Sequence, residues 1–129
     1  MEFEHYGYVV AEIDKTAKEF EFFGYKKGEK LYDEKLQVEI CYLINSNGGK
    51  IELIHQLNPD SLEQKLLKIN GVSPYHICFK TSDIFSDYKK LISEGYSALF
   101  EPVEVKVLGG KKICYFHKAE IGYIELVEK

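Results

Sequence analysis

Two stretches decide the fold: Lys50-Ile51-Glu52-Leu53-Ile54 and Tyr123-Ile124-Glu125-Leu126-Val127. Each sets a charged Glu inside a short apolar run of strand length. By strict alternation Glu52 shares its strand face with Ile54, and Glu125 shares its face with Val127. Each carboxylate therefore points to an apolar side. A shift of 73 residues relates the stretches, and the same shift lays Ile40-Cys41-Tyr42-Leu43 on Ile113-Cys114-Tyr115-Phe116. Earlier in the chain the shift is 71: His5 falls on His76, Ile13 on Ile84, and Gly24-Tyr25 on Gly95-Tyr96. A two-residue loop insertion accounts for the slip. Matches in one order along the whole chain mean two copies of one module.

Each copy reads as β-α-β-β-β. In the first, a strand at His5–Val10 precedes a helix starting near Asp14 or Thr16, with Ala17, Phe20 and Phe23 on its apolar stripe. Strands are expected over about 25–33, 36–45 and 49–55. In the second, a strand at Tyr75–Lys80 leads to a helix capped by Asp83, with Ile84, Tyr88, Leu91 and Ile92 as its stripe. Strands over about 97–107, 111–117 and 122–127 follow. Gly24 and Gly95 sit just past the helix ends, where a left-handed residue is usually Gly. Asn47-Gly48-Gly49 and Gly109-Gly110 carry hairpin-turn chemistry. Between the copies, Ser61 and Gln64 form a capping box for a short helix closed by Asn70-Gly71. The expected fold class is α+β: two tandem βαβββ modules forming a curved, mostly antiparallel sheet around a metal-binding cavity. Residues 1–129 make one domain, with module one at about 1–56, a connecting helix at about 61–70 and module two at about 73–129.

Composition narrows the partners. The 129 residues are 45% hydrophobic and 14% aromatic, which supplies a core and excludes a disordered chain. No apolar run approaches the roughly 20 residues of a membrane span. All 17 basic residues are Lys, against 21 acids, for a net charge of −4. An acidic chain without Arg lacks the forked donors that read phosphate and guanine, so nucleic acid is not an expected partner. Cys41, Cys78 and Cys114 are odd in number and have no CxxC spacing, which argues against a disulfide scaffold or zinc knuckle. The start Met1-Glu2-Phe3-Glu4-His5 lacks a basic-then-apolar signal pattern, and a reducing cytoplasm is the expected location.

The repeat sets His5 and Glu52 in module one against His76 and Glu125 in module two. Two carboxylates directed into an apolar concavity need a compensating cation. Two imidazoles and two carboxylates suit an octahedral ion with two open positions. Ni²⁺, Co²⁺ or Mn²⁺ therefore fits better than four-coordinate Zn²⁺. His55 and His117 have no repeat partner of their own type and read as structural or rim residues.

These features together resemble the vicinal oxygen chelate superfamily, which includes glyoxalase I, methylmalonyl-CoA epimerase, bleomycin-resistance proteins and extradiol dioxygenases. The resemblance is carried by His5–Val10, Lys50–Ile54, Leu57-Asn58-Pro59-Asp60-Ser61, Tyr75–Phe79 with Ser82-Asp83-Ile84, Gly109–Ile113 and Tyr123–Glu128. It implies that His5, Glu52, His76 and Glu125 are metal ligands and that the protein is a homodimer. Leu57–Ser61 looks most like the epimerase branch. So does Glu39, which falls where that branch carries an acid/base glutamate, although taken alone it reads equally well as a solvent-facing strand residue. The implied chemistry moves a proton next to the carbonyl of a small thioester, with Glu39 and Glu125 as acid/base groups and a divalent metal as Lewis acid.

Two alternatives stand beside this reading. One is glyoxalase I acting on a hemithioacetal; the other is a non-catalytic binder of the bleomycin-resistance type. The chain departs from epimerase-like sequences at Tyr75-His76, where His-His is frequent, and at His117-Lys118-Ala119-Glu120, where a His-Pro-Lys-Ser-like loop is frequent. The missing Arg mildly disfavours glutathione, because Lys replaces a guanidinium as a charge but not as a fork.

Overall fold

The computed structural model describes all 129 residues. The chain folds as two compact units, His5–Tyr75 and Met1–Glu4 with His76–Lys129. The elements of the first are β1 (Glu2–Val9), α1 (Ile13–Glu21), β2 (Lys26–Asp33), β3 (Val38–Ile44), β4 (Lys50–Gln56) and α2 (Leu62–Asn70). Glu2, Phe3 and Glu4, at the start of β1, belong to the second unit. That unit also contains β5 (Ser73–Thr81, from His76 onward), α3 (Ile84–Ser93), β6 (Ser97–Ala98), β7 (Val103–Val105), a 3-10 turn at Lys106–Leu108, β8 (Lys111–Lys118) and β9 (Gly122–Glu128). No helix is long and apolar enough to cross a membrane.

The two units repeat one strand order. In the first, neighbours run β2-β3-β4-β1, with β1 and β4 parallel and the other pairs antiparallel. In the second they run β6-β8-β9-β5, with β5 and β9 parallel and β7 also on β8. The α+β class and the βαβββ module are as expected. The parallel pair follows from the order, since the strand before each helix must return beside the last strand of the same module.

Helices α1 and α3 each cover one sheet face. Ile13 and Ala17 of α1 pack with Val10, Cys41, Leu43, Ile51 and Leu53, flanked by Tyr8, Phe20 and Tyr25. Ile84 of α3 packs with Cys114, Phe116 and Leu126, flanked by Phe79, Tyr88, Leu91, Tyr96 and Ala98. Full burial of such a side chain stabilises by about 1.5–3 kcal/mol relative to exposure. The thiols in these cores are free. Burial pushes Cys114 up to about 12 and raises Cys41 as well.

Local differences from the sequence reading have physical causes. Helix α1 starts at Ile13 behind Glu12, which makes no side-chain cap, and it ends before Phe23, which is 73% exposed rather than on the buried stripe. The strand expected over about 97–107 is broken into β6 and β7 around Glu101-Pro102. Proline has no N–H to donate to a ladder. Ser61 caps α2 by accepting from the Gln64 backbone N–H, but the Gln64 side chain donates to the Gln56 carbonyl instead of returning to Ser61. The capping box is thus half made. Asp83 caps α3 as expected, accepting from Ser86 N–H at 3.1 Å. Gly24 (φ 84°) and Gly95 (φ 91°) take the left-handed turn out of α1 and α3.

The first turn of α1 is tied to β2 through Asp14, whose carboxylate accepts from Lys27 at 2.6 Å and Lys30 at 2.9 Å. Hydrogen bonds from these two ammonium groups hold Asp14 at about 2, well below the ordinary Asp value. A depressed carboxyl contributes stability above its unfolded pKa and loses it as pH falls through the folded one. Asp14→Asn should therefore lower Tm at pH 7, and the gap from wild type should close between about pH 4 and pH 2. Thermal melts across that range check this; a gap that persists at pH 2 would assign Asp14 some other role.

Candidate metal centre

In the first unit, Glu52 of β4 lies beside Tyr42 of β3 and Gly7 of β1. Parallel pairing puts Gly7 on the Glu52 face, and His5, two residues back, is on that face too. The His5 Nε2 to Glu52 Oε1 distance is 3.2 Å, with the two side chains 2% and 5% exposed. The second unit builds the same pair from β5 and β9. Cys78 lies beside Glu125, His76 is two residues back, and His76 Nε2 is 3.1 Å from Glu125 Oε1. The predicted apolar setting is present, since Ile54 and Val127 are 5% and 8% exposed.

Each pair suits one edge of a metal's coordination shell. Ligand atoms about 2.1 Å from a common ion lie about 3.0 Å apart when cis in an octahedron and about 3.4 Å apart in a tetrahedron. The observed separations fall between these values. All four side chains are buried and offer one imidazole nitrogen or carboxylate oxygen each, the donor set of a divalent transition ion.

Two features of each pair were not singled out from the sequence. The residue beside the carboxylate is small in both units, Gly7 and Cys78, which leaves the histidine a diagonal path to its glutamate. A tyrosine ring flanks each histidine, Tyr42 at 5.6 Å from His5 and Tyr115 at 5.1 Å from His76. The signal was already in the repeat, because Gly7 falls on Cys78 at a shift of 71 and Tyr42 on Tyr115 at 73. The rings then differ in what covers them. Lys50 Nζ lies 4.4 Å over Tyr42, whereas Phe100 stacks on Tyr115 at 5.6 Å.

Glu39 is not part of this arrangement. It lies opposite His55, three residues before the Tyr42–Glu52 pair on β3, so it points to the other face of the sheet. Cys41 and Leu43 share that face, beneath α1. Glu39 and His55 line a pocket of about 250 Å³ beside Ile13, Asp14 and Lys30. On the Glu52 face the neighbouring β3 position is Ile40, 4% exposed. The register therefore sets Glu39, expected as an acid/base group, on the strand face opposite that of Glu52. Of the two unmatched histidines, His55 places Nδ1 3.3 Å from the Val10 carbonyl, and His117 packs on Tyr123 at 4.7 Å.

A βαβββ module used twice, each time with a buried His/Glu pair on its sheet, defines a metal-site scaffold of the vicinal oxygen chelate kind. The chain belongs to the Glyoxalase/Bleomycin resistance protein/Dioxygenase superfamily, whose family model matches residues 4–115. A search of the curated proteins found no match. Among solved structures, the chain resembles methylmalonyl-CoA epimerase from Mycobacterium tuberculosis, with 21% identity and a TM-score of 0.83 over 98% of this chain and 87% of that one. It also resembles a variant of the Streptomyces coelicolor epimerase in complex with 2-nitronate-propionyl-CoA, with 24% identity and a TM-score of 0.84 over 100% and 97% of the two chains. A third, a methylmalonyl-CoA epimerase in complex with methylmalonyl-CoA and ammonium, is 23% identical with a TM-score of 0.83 over 99% and 94%. At these identities the likeness is one of fold.

The diagonal His5–Glu52 approach makes Gly7 testable. Gly7→Val places a branched side chain beside the buried carboxylate and should destabilise by about 1–3 kcal/mol, as overpacking does. Urea unfolding checks this, and an unchanged midpoint would show that the space beside Glu52 is not needed.

Proposed function

We propose that the protein is a divalent-metal-dependent isomerase that moves a proton on the carbon next to the carbonyl of a small thioester, in the manner of a methylmalonyl-CoA epimerase. The observation that carries this reading is the buried His/Glu pair, built at the same strand positions in both modules. Family membership and the fold shared with epimerases support it. We assign His5, Glu52, His76 and Glu125 as the ligands, with Ni²⁺, Co²⁺ or Mn²⁺ favoured over Zn²⁺ by the mixed N/O donor set.

A divalent ion in this set would supply Lewis-acid stabilisation of the oxyanion that develops as the proton leaves, worth several kcal/mol. The protein's own groups do the rest. Glu125 takes the proton from one side of the α-carbon, and a second group must return one from the opposite side. With Glu39 on the far face of its strand, that role goes to Glu52, the counterpart of Glu125 in the other module. The apolar residues beside each glutamate exclude water and strengthen every charge interaction at the reacting carbon. Lys50, two residues before Glu52 on the same strand face, offers a cation to an anionic part of the substrate. Exposed lysines are available for the phosphates of a coenzyme A carrier. A homodimer in the cytoplasm belongs to the same reading.

One observation favours a second reading. Without Glu39, the acid/base groups reduce to the matched pair Glu52 and Glu125. Glyoxalase I chemistry on a hemithioacetal shuttles a proton between adjacent carbons and needs no third carboxylate. A purely sequestering protein has no use for two buried carboxylates.

Three measurements separate the readings. Co²⁺ or Ni²⁺ titration by calorimetry should give tight binding, weakened at least 100-fold in Glu125→Ala; a protein that takes up neither ion belongs with the binders. Solvent deuterium should enter methylmalonyl-CoA in the metal-loaded protein, and thioester formation from methylglyoxal and glutathione instead would select the second reading. Glu39→Gln should leave turnover within about twofold of wild type, less than 0.5 kcal/mol in the barrier. A loss of tenfold or more would return Glu39 to the reaction.

A further inference from the structure

The two modules fill the space beneath their helices differently. In the first, the ring of Phe20 on α1 lies 5.4 Å from Tyr8 and 5.6 Å from Tyr25, with Phe23 at 6.4 Å. Ile51 and Leu53 form the floor of this cluster. In the second module every one of those wall positions recurs: Tyr8 becomes Phe79, Tyr25 becomes Tyr96, Ile51 becomes Ile124 and Leu53 becomes Leu126. The filling residues do not recur. Phe20 is replaced by Leu91 and Phe23 by Glu94.

The space left by that exchange is open. Phe79, Leu91, Tyr96, Ile124 and Leu126 line a cavity of about 210 Å³, with Met1 and Ile121 completing it. Every lining residue is apolar or aromatic, and no charged side chain enters. Met1 and Ile121 are 65% and 50% exposed, so they form an apolar mouth toward solvent. One wall is held in place from outside. Lys118 Nζ lies 5.1 Å from the Tyr96 ring centroid and donates to the Glu94 carbonyl at 2.9 Å. The helix cannot simply collapse onto the gap, because its other end is already filled by Tyr88 against Phe116, 5.6 Å between ring centroids.

We propose that this cavity is a binding site for a small uncharged aromatic ring, the group that module one supplies from its own Phe20. The size is adequate, since a cavity of about 150 Å³ lined by aliphatic and aromatic side chains holds benzene. The chemistry agrees: Phe79 and Tyr96 present ring faces and edges for offset or edge-on aromatic contact. Leu91 and Leu126 supply the dispersion contacts that an empty space forfeits. The site lies on the helix-covered face of its sheet, whereas Glu125 points to the other face. Its occupancy is therefore independent of the metal reading.

Toluene is the probe. The full-length protein should gain about 5 °C in Tm at ten times the dissociation constant of toluene. The ring resonances of Phe79 and Tyr96 should shift in the same titration. Leu91→Phe restores the phenyl ring of module one and should abolish both effects. If Leu91→Phe does not fold, Ile121→Trp, which closes the mouth, should abolish them instead. Two results overturn the proposal: no toluene effect on wild type, or a toluene effect that survives in the folded filling variant.

Discussion

A carboxylate buried beside an imidazole on an apolar strand face is the constraint around which each module is organised. An isolated ionised Glu in such a place is costly by several kcal/mol, and removing one partner of a buried pair costs about 3–5 kcal/mol. The strand must therefore bring a partner within about 3 Å. The parallel pairing of the first and last strands does this, because it sets a His and a Glu from distant points of the module on one face. The helix between those strands is the crossover that parallel pairing requires. It also covers the opposite face, which leaves the His/Glu face available for chemistry.

The modules agree where this constraint acts and diverge where it does not. His, Glu, the small residue beside the Glu and the tyrosine beside the His all recur. Beneath the helices the same volume is divided otherwise: Ala17, Phe20 and Leu43 in one module stand where Tyr88, Leu91 and Phe116 stand in the other. Cores tolerate such exchanges while pattern and total volume are kept. The shift of bulk toward one end of α3 is what leaves the other end open.

Much of this was legible in order alone. The self-match of the chain exposed the module, and the module exposed His5, Glu52, His76 and Glu125, because a Glu in an apolar strand is anomalous on any other account. Strand parity was harder. Glu39 lies in Val38-Glu39-Ile40-Cys41, where apolar residues occupy both faces and the alternation that marks a half-buried strand is absent. Only the register with β4 shows that Glu39 goes with Cys41 and His55 rather than with Tyr42 and Glu52. The break of the long strand at Pro102 was visible as chemistry but not as consequence. The aromatic flanks of the histidines were visible as a repeat but carried no charge to draw notice.

The two matched cysteines beneath the helices bear on what the protein itself can survive. Burial raises both thiols above the ordinary cysteine value, which disfavours the thiolate, the reacting species. Electrophilic carbonyl compounds thus meet Cys41 and Cys114 as buried, protonated thiols. The chain also offers them no guanidinium. Against such compounds the amines of its lysines are the remaining targets, and Lys50, over the Tyr42 ring, is one that lies close to a buried pair.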